Sequence, residues 1–296
     1  MPSTFFTEAP HWRWLIILYF FVGGLAGGCY FLASLIDLVG RPSDRPLARL
    51  GYLIAFPAVI VCGVLLTADL GRPERFWHML LQSATWRPML KTYSPMSLGA
   101  WGLLVFGGFS LLSFLGTLAE GKRRGALAFL RPPGPIGTVV SLLGGLAAFF
   151  LVSYTGVLLA VTNRPIWSDT TLLGAVFLVS SASTSIALLL LLLGSRRVFL
   201  VGGLRALQRF DTIVLVLELL ALVALVVSLG SVARVWLSAW GALLLLGVVG
   251  VGIVVPLLLH LRAQTPLSSA ARAAAVCVLV GGFLLRVVIV LSSESI

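Results

Sequence analysis

The sequence predicts an all-α integral membrane protein with about eight transmembrane helices, arranged as two four-helix bundles. Composition is the first reason. Of the 296 residues, 59% are apolar and only 10% are charged, whereas a soluble domain carries roughly a quarter charged residues. Too little polar surface remains to coat a soluble core. The second reason is length: the apolar residues come in runs of about 20 or more, and at ~1.5 Å per residue each run crosses ~30 Å of hydrocarbon. Third, Gly and Pro interrupt these runs, with none of the alternation over roughly ten residues that an outer-membrane barrel needs. Lipid requires each backbone group to be satisfied within its own segment, so the runs are helices.

The runs cover 14–39, 47–69, 95–119, 136–162, 170–193, 211–230, 236–260 and 273–291. The first follows a polar, Pro-containing lead with His11 and Arg13. Its core is longer than the apolar segment of a signal peptide, so it reads as a retained helix. The longest connections, 70–94, 120–135 and 194–210, are too short for a soluble domain, and residues 1–296 read as a single membrane domain. The small-residue cluster GGLAGG (23–28) in the first run has a counterpart, SSASTS (180–185), in the fifth. Gly144 and Gly145 in the fourth run are answered by Gly281 and Gly282 in the eighth. Two parallel four-helix halves account for this echo; so does the general use of small residues where membrane helices pack closely.

A formal charge of +11 would point to nucleic acid in a soluble protein, but most basic residues here sit in short loops between spans. With the amino terminus outside, 13 fall on inner loops: Arg41, Arg45, Arg49, Lys122, Arg123, Arg124, Arg131, Arg196, Arg197, Arg205, Arg209, Arg262 and Arg272. Seven fall outside: Arg13, Arg72, Arg75, Arg87, Lys91, Arg164 and Arg234. The positive-inside rule then puts both termini outside, in a multi-pass protein of the cytoplasmic membrane with no nucleic-acid partner. Cys29, Cys62 and Cys277 lie singly in three spans and read as small packing residues. No spacing matches a metal site or an iron–sulfur cluster. A bis-His haem is not expected either, since His11 and His78 lie outside the spans and His260 at an inner end.

The outer loops hold DLGRPERFWHML (69–80), TWRPMLKTYSPMS (85–97) and NRPIWSD (163–169), which mix both charge signs with Trp, Tyr and His. Such a face suits docking, and it equally suits an interfacial aromatic belt; Trp12, Trp14, Trp236 and Trp240 read as belt residues. Inside the membrane an ionisable group is costly unless paired or hydrated. Asp69 closes the second span, Asp211 and Glu218 lie in the inner half of the sixth, and Arg286 lies in the eighth. Asp37 and His260 sit near inner ends. Asp211 and Glu218 are seven residues apart and share a helix face. Asp211, Glu218, His260 and Asp37 can act as proton-exchanging groups. The alternative is a set of buried ion pairs, with Arg286 against Asp69 or Glu218. Helical rise puts Arg286 roughly 20 Å and Tyr154 roughly 27 Å from the inner ends of their spans.

Several motifs occur in order: GGLAGGCYFLASLIDL, DLGRPERFWH followed by YSPMSLGAW, YTGVLLAVTNRPIW, and GGFLLRVVIV. Together they resemble the NrfD/PsrC-type membrane subunits of polysulfide reductase-like complexes. The matching stretches touch spans one to four and eight, and DLGRPERFW with SPMSLGAW is the most specific pair. The resemblance implies a cofactor-free, quinone-binding anchor that partners an iron–sulfur subunit on the outer face, commonly with a molybdopterin catalytic subunit beyond it. The quinone, menaquinone or ubiquinone, lies near the outer face and touches a Tyr that matches Tyr154. A His and an Asn of the polysulfide reductase anchor fall on Tyr19 and Ile16, so the sequence departs at two quinone contacts. On this reading Tyr154, Asp69, Tyr19, His78 and Arg286 surround the quinone. His78 either donates to the quinone or takes up protons, or makes an ordinary loop hydrogen bond. Arg72, Glu74 and Arg75 orient the loop or dock the partner. With no haem or iron–sulfur cluster of its own, such a protein draws electrons from a partner's cluster. The competing reading is a secondary transporter, which shares the repeats and intramembrane charges but needs a water-filled central site. A haem-b quinol oxidoreductase subunit lacks its His pair, and a plain scaffold does not need Arg286 or Glu218 in lipid.

Overall fold

The computed structural model describes residues 12–120, 127–194, 201–262, 265 and 268–295. Among them are eight helices long and apolar enough to cross a membrane. They are α1 (Trp14–Val39), α2 (Arg45–Asp69), α3 (Pro95–Glu120), α4 (Pro135–Ala160), α5 (Leu173–Gly194), α6 (Val201–Leu229), α7 (Ala239–Arg262) and α8 (Ser269–Ser292). The described residues contain no strand beyond one isolated bridge, Leu81 to Pro88. The basic loop residues Lys122, Arg123, Arg124, Arg196 and Arg197, together with His11, lie outside the described residues.

Local chemistry explains the helix starts. α3 and α4 open on Pro95 and Pro135, and α2 has a Pro in its first turn, where a missing N–H costs nothing. Ser268 caps α8 by accepting from Ala271 N at 3.2 Å. The largest departure from the predicted spans is α6, which begins at Val201 instead of residue 211. Its added turns bury Leu204 and Leu207 and expose Arg205 and Arg209. Apolar length marks where hydrocarbon begins, and an amphipathic helix continues past it.

The helices form two sets of four. α1 packs on α2 and α4, and α3 on α2 and α4; α5 packs on α6 and α8, and α7 on α6 and α8. The sets join where α5 lies against α1 and α4, with α1 also touching α8. The middle of α7, Leu243–Val254, is wound as π-helix. There Gly252 meets Gly281 of α8 so closely that a Cβ on Gly252 would lie 2.7 Å from the Gly281 Cα.

GGLAGG and SSASTS turn out to be two sides of one contact as well as echoes of each other. A Cβ on Gly24 would overlap the Ser181 hydroxyl, and one on Gly28 would overlap Ser185 and lie 2.7 Å from the Ser181 carbonyl. Ser185 Oγ donates across the seam to Leu25 O at 3.4 Å. The second glycine of each pair faces the first helix of its own bundle. Gly144 and Gly145 of α4 lie under Tyr30 and Ser34 of α1, while Gly282 of α8 lies under Thr184 of α5. Lipid tails are as apolar as Leu, so helices associate through such close approach and interhelical hydrogen bonds.

Gly28→Val should therefore overpack the seam, costing about 1–3 kcal/mol and lowering the unfolding midpoint in detergent. Gly108→Val, at a site with nothing within 4 Å, should leave the midpoint nearly unchanged. Equal losses in the two variants would contradict the seam.

Candidate functional site

At the predicted outer end, the ring of Tyr154 in α4 occupies space that only Gly99 of α3 leaves open; a Cβ there would overlap the phenol. The Tyr154 hydroxyl donates to Pro95 O at 2.5 Å. The motif YSPMSLGAW builds this corner. Lys91 N donates to Ser97 Oγ at 3.1 Å and Trp101 Nε1 to Met89 O at 3.1 Å, which folds the incoming loop onto the start of α3. Phe150, exposed on the lipid side, stacks on Tyr154 with centroids 5.7 Å apart. Tyr19 is buried in α1, beside Cys62 and near enough to Tyr154 to interact electrostatically. Asp69 is exposed at the end of α2. His78 stacks on Trp77 at 3.8 Å, and its Nδ1 lies 3.2 Å from Arg75 O.

Arg286 points elsewhere. It is fully buried between α8, α5 and α1, where Nη1 donates to Ser180 Oγ at 2.6 Å and to Gly282 O at 2.7 Å. Nη2 donates to Ser181 Oγ at 2.9 Å. The guanidinium also lies over the rings of Phe177 and Phe21, at 5.3 and 5.9 Å. The Glu218 carboxylate of α6 is near enough to the guanidinium and to Ser180 to interact with both. Asp69 takes no part. The same face of α5 continues inward. Ser183 Oγ donates to Asp211 Oδ1 at 3.3 Å, and Asp211 Oδ2 lies 3.7 Å from His260 Nε2. His260 Nδ1 lies 3.4 Å from Thr212 Oγ1. Asp211, Glu218 and His260 thus fall into one polar line, joined by serines that looked like mere small residues in SSASTS.

Asp37 is not on that line. It lies at the opposite end of the first bundle from Tyr154, where Arg131 Nη2 donates to its Oδ2 at 2.7 Å. Arg131 also bonds Glu120 and covers the Tyr52 ring at 5.4 Å. Tyr52 and Ser141 hydroxyls are 2.5 Å apart, and Ser141 Oγ donates to Ser34 Oγ at 3.3 Å. Higher up, Tyr30 and Ser113 hydroxyls are 2.7 Å apart. Asp37 Oδ1 and Arg131 Nε are buried with no hydrogen-bond partner among the described residues. Sequence reasoning missed this cluster because Arg131 read as one more inner-loop cation; nothing in its neighbourhood signals a side chain only 3% exposed.

The loop from 70 to 94 leaves Arg72, Glu74 and Arg75 exposed around a 3-10 turn, Pro73–Met79. Trp77 stacks face to face with exposed Trp86 at 5.1 Å. NRPIWSD differs from the outer-facing docking segment expected. Trp167 and Ile166 are fully buried, Trp167 Nε1 donates to Ile289 O at 2.8 Å, and Trp12 stacks on it at 5.6 Å. Trp12 and Trp236 are likewise buried, where belt residues were expected, because each closes the outer end of the second bundle. Trp14, 54% exposed, fits the belt. No group of three or more His, Cys, Asp or Glu among the described residues could hold a metal ion.

The sequence matches the family model described as polysulphide reductase, NrfD, over residues 3–296. It is 29% identical to a polysulfide reductase chain of Wolinella succinogenes over 269 residues, which is 84% of this protein and 82% of that one. It is 28% identical to protein NrfD of Escherichia coli over 285 residues, which is 87% and 86% of the two proteins. A shorter match, 27% over 81 residues, links it to a selenate reductase subunit of Mesobacillus selenatarsenatis, over 27% of this protein and 19% of that one.

Arg131→Met should leave the Asp37 carboxyl buried without its cation, costing about 3–5 kcal/mol, whereas adding Asp37→Leu should recover most of the loss. Thermal unfolding of the single and double variants in detergent checks this. A single variant as stable as the parent would show that the two charges are not coupled.

Proposed function

Because the chain belongs to the NrfD family of polysulphide reductase membrane proteins, we propose that it is the quinone-binding anchor of a respiratory oxidoreductase complex in the cytoplasmic membrane. It exchanges electrons between membrane quinone and an iron–sulfur subunit on the outer face, with a molybdopterin-type catalytic subunit beyond. One observation carries the reading: a phenol donor, Tyr154, is set at the outer end of the first bundle beside buried Tyr19 and under a lipid-exposed aromatic ring. Such a setting fits a carbonyl-bearing ring arriving from the bilayer.

A quinone supplies the two-electron, two-proton couple when bound. The remaining work falls to the protein. Tyr154 already donates to a carbonyl, Pro95 O, and transfers that donation to a quinone oxygen by a small rotation. Gly99 keeps the space into which the phenol fits. On this reading Asp69 and His78 serve as proton-exchanging groups. Arg286 acts at a distance, anchoring the Ser180–Glu218 end of a line whose other end is Asp211 and His260 near the inner face. Asp37, with Arg131 and Tyr52, is the corresponding inner group of the first bundle.

The exposed cations Arg72 and Arg75, with Glu74, flank the stacked Trp77 and Trp86. Aromatic and Arg residues of this kind anchor protein interfaces. A partner's iron–sulfur centre docked on this loop would stand near the Tyr154 corner, because Met89 and Lys91 of the same loop bond the start of α3.

Tyr154→Phe should slow quinone turnover of the assembled complex roughly tenfold, the worth of one lost hydrogen bond of ~1.4 kcal/mol, without releasing the partner. Turnover with a soluble quinol and the subunit content of the purified complex are the two readouts. Unchanged turnover would remove Tyr154 from the site.

A further inference from the structure

Where α3 and α4 pack side by side, two aromatic rings of α4 sit in two notches of α3. Tyr154 lies in the gap left by Gly99. One turn deeper in the membrane, Phe150 lies in the gap left by Gly102, where a Cβ would stand 2.7 Å from the ring. The four positions are in register, because Gly99 and Gly102 are three residues apart and Phe150 and Tyr154 four, so each pair shares a helix face. The rings differ in what covers them. Tyr154 is 6% exposed and Phe150 44%, and they are stacked at 5.7 Å with their planes 24° apart. Leu146, a further turn deeper on the same face of α4, is exposed as well. A lipid-facing stripe thus climbs α4 to Phe150, with the phenol behind it.

We propose that Phe150 is the entry residue of the quinone corner: its ring closes the way from lipid to Tyr154 and turns off the Gly102 seat to admit a quinone ring. The inference rests on the Tyr154 reading and names the residue that controls access to it. Three observations carry it. First, a ligand dissolved in the bilayer meets α4 from the lipid side, and there the nearly buried phenol is covered by the Phe150 ring. Second, the ring is held lightly, by one stacked neighbour and a glycine, with lipid on its open side. A helical Phe has two open χ1 wells, so one rotation clears the seat without moving the backbone. Third, the nearest neighbours of a Cβ at Gly102 are all atoms of the Phe150 ring, whereas at Gly28 they include a backbone carbonyl of the facing helix. Gly102 therefore makes room for a ring and not for a close helix approach. A Phe that served only as lipid-facing surface would need no such notch. Entry and exit use the same opening, so the ring sets both rates.

Binding kinetics test this in the purified native complex. Parent and variants are mixed in a stopped-flow fluorimeter with a fluorescent hydroxyquinoline N-oxide, a quinol analogue whose emission is lost on binding. Phe150→Ala should raise the association and dissociation rates together, about three- to tenfold, the rate equivalent of one aromatic stack, and leave the affinity nearly unchanged. Gly102→Ala keeps the ring but tilts it off its seat, so it should move both rates in the same direction; it carries the test if Phe150→Ala does not assemble. Tyr154→Phe should raise the dissociation rate alone. If Phe150→Ala weakens affinity through faster dissociation only, the ring is a contact of the bound ligand and the entry role is overturned. Slower association overturns it too. Unchanged rates in Phe150→Ala and Gly102→Ala, with Tyr154→Phe still weakening binding, overturn the entry role and leave the Tyr154 reading in place. Binding that ignores all three substitutions sinks both.

Discussion

Everything in this molecule depends on how a charged guanidinium is kept inside a bilayer. An Arg at the centre of a membrane helix costs on the order of 3 kcal/mol by insertion scales. Arg286 meets that cost with three hydrogen bonds, to Ser180, Ser181 and Gly282 O, two aromatic faces and a nearby carboxylate. Both serines belong to α5, and Ser181 faces α1, so one residue that solvates the charge also forms the seam between the bundles. Gly24 and Gly28 are small because the hydroxyls must come through. Charge burial and bundle docking are one arrangement.

That arrangement divides the polar groups in two. The second bundle carries a line from His260 through Asp211 and Ser183 toward Glu218 and Arg286, and the first holds a compact cluster of Asp37, Arg131 and Glu120 under Tyr52. Each bundle thus has a cluster of titratable groups at the end expected to face inward. The matching placement of Gly145 against α1 and of Gly282 against α5 fits two halves built on one plan.

The spans were legible because apolar length is a direct consequence of bilayer thickness, and seven of the eight helices start and stop within a few residues of their runs. Helix continuation beyond hydrocarbon was not legible, hence the early start of α6. The pairing of charges was also out of reach, because partners come from helices far apart in sequence. Asp37 looked like kin to Asp211, yet its partner is Arg131, a loop residue 94 positions away. Glu218, not Asp69, proved to be the partner of Arg286. The motifs of the outer loops were recognisable as strings, but their physical work is local: SPMSLGAW shapes the space around Tyr154, and NRPIW is a buried plug. Aromatic content alone does not say which Trp faces a partner and which closes a core.

If this membrane bundle moves electrons between quinone and a metal-bearing neighbour, both should travel with it. Purification under mild detergent, with identification of the associated subunits and of the extracted quinone, tests this most directly. An iron–sulfur protein bound to the bundle, with quinone recovered from the complex, is the predicted result. A lone protein without quinone that moves a solute across liposomes would contradict it.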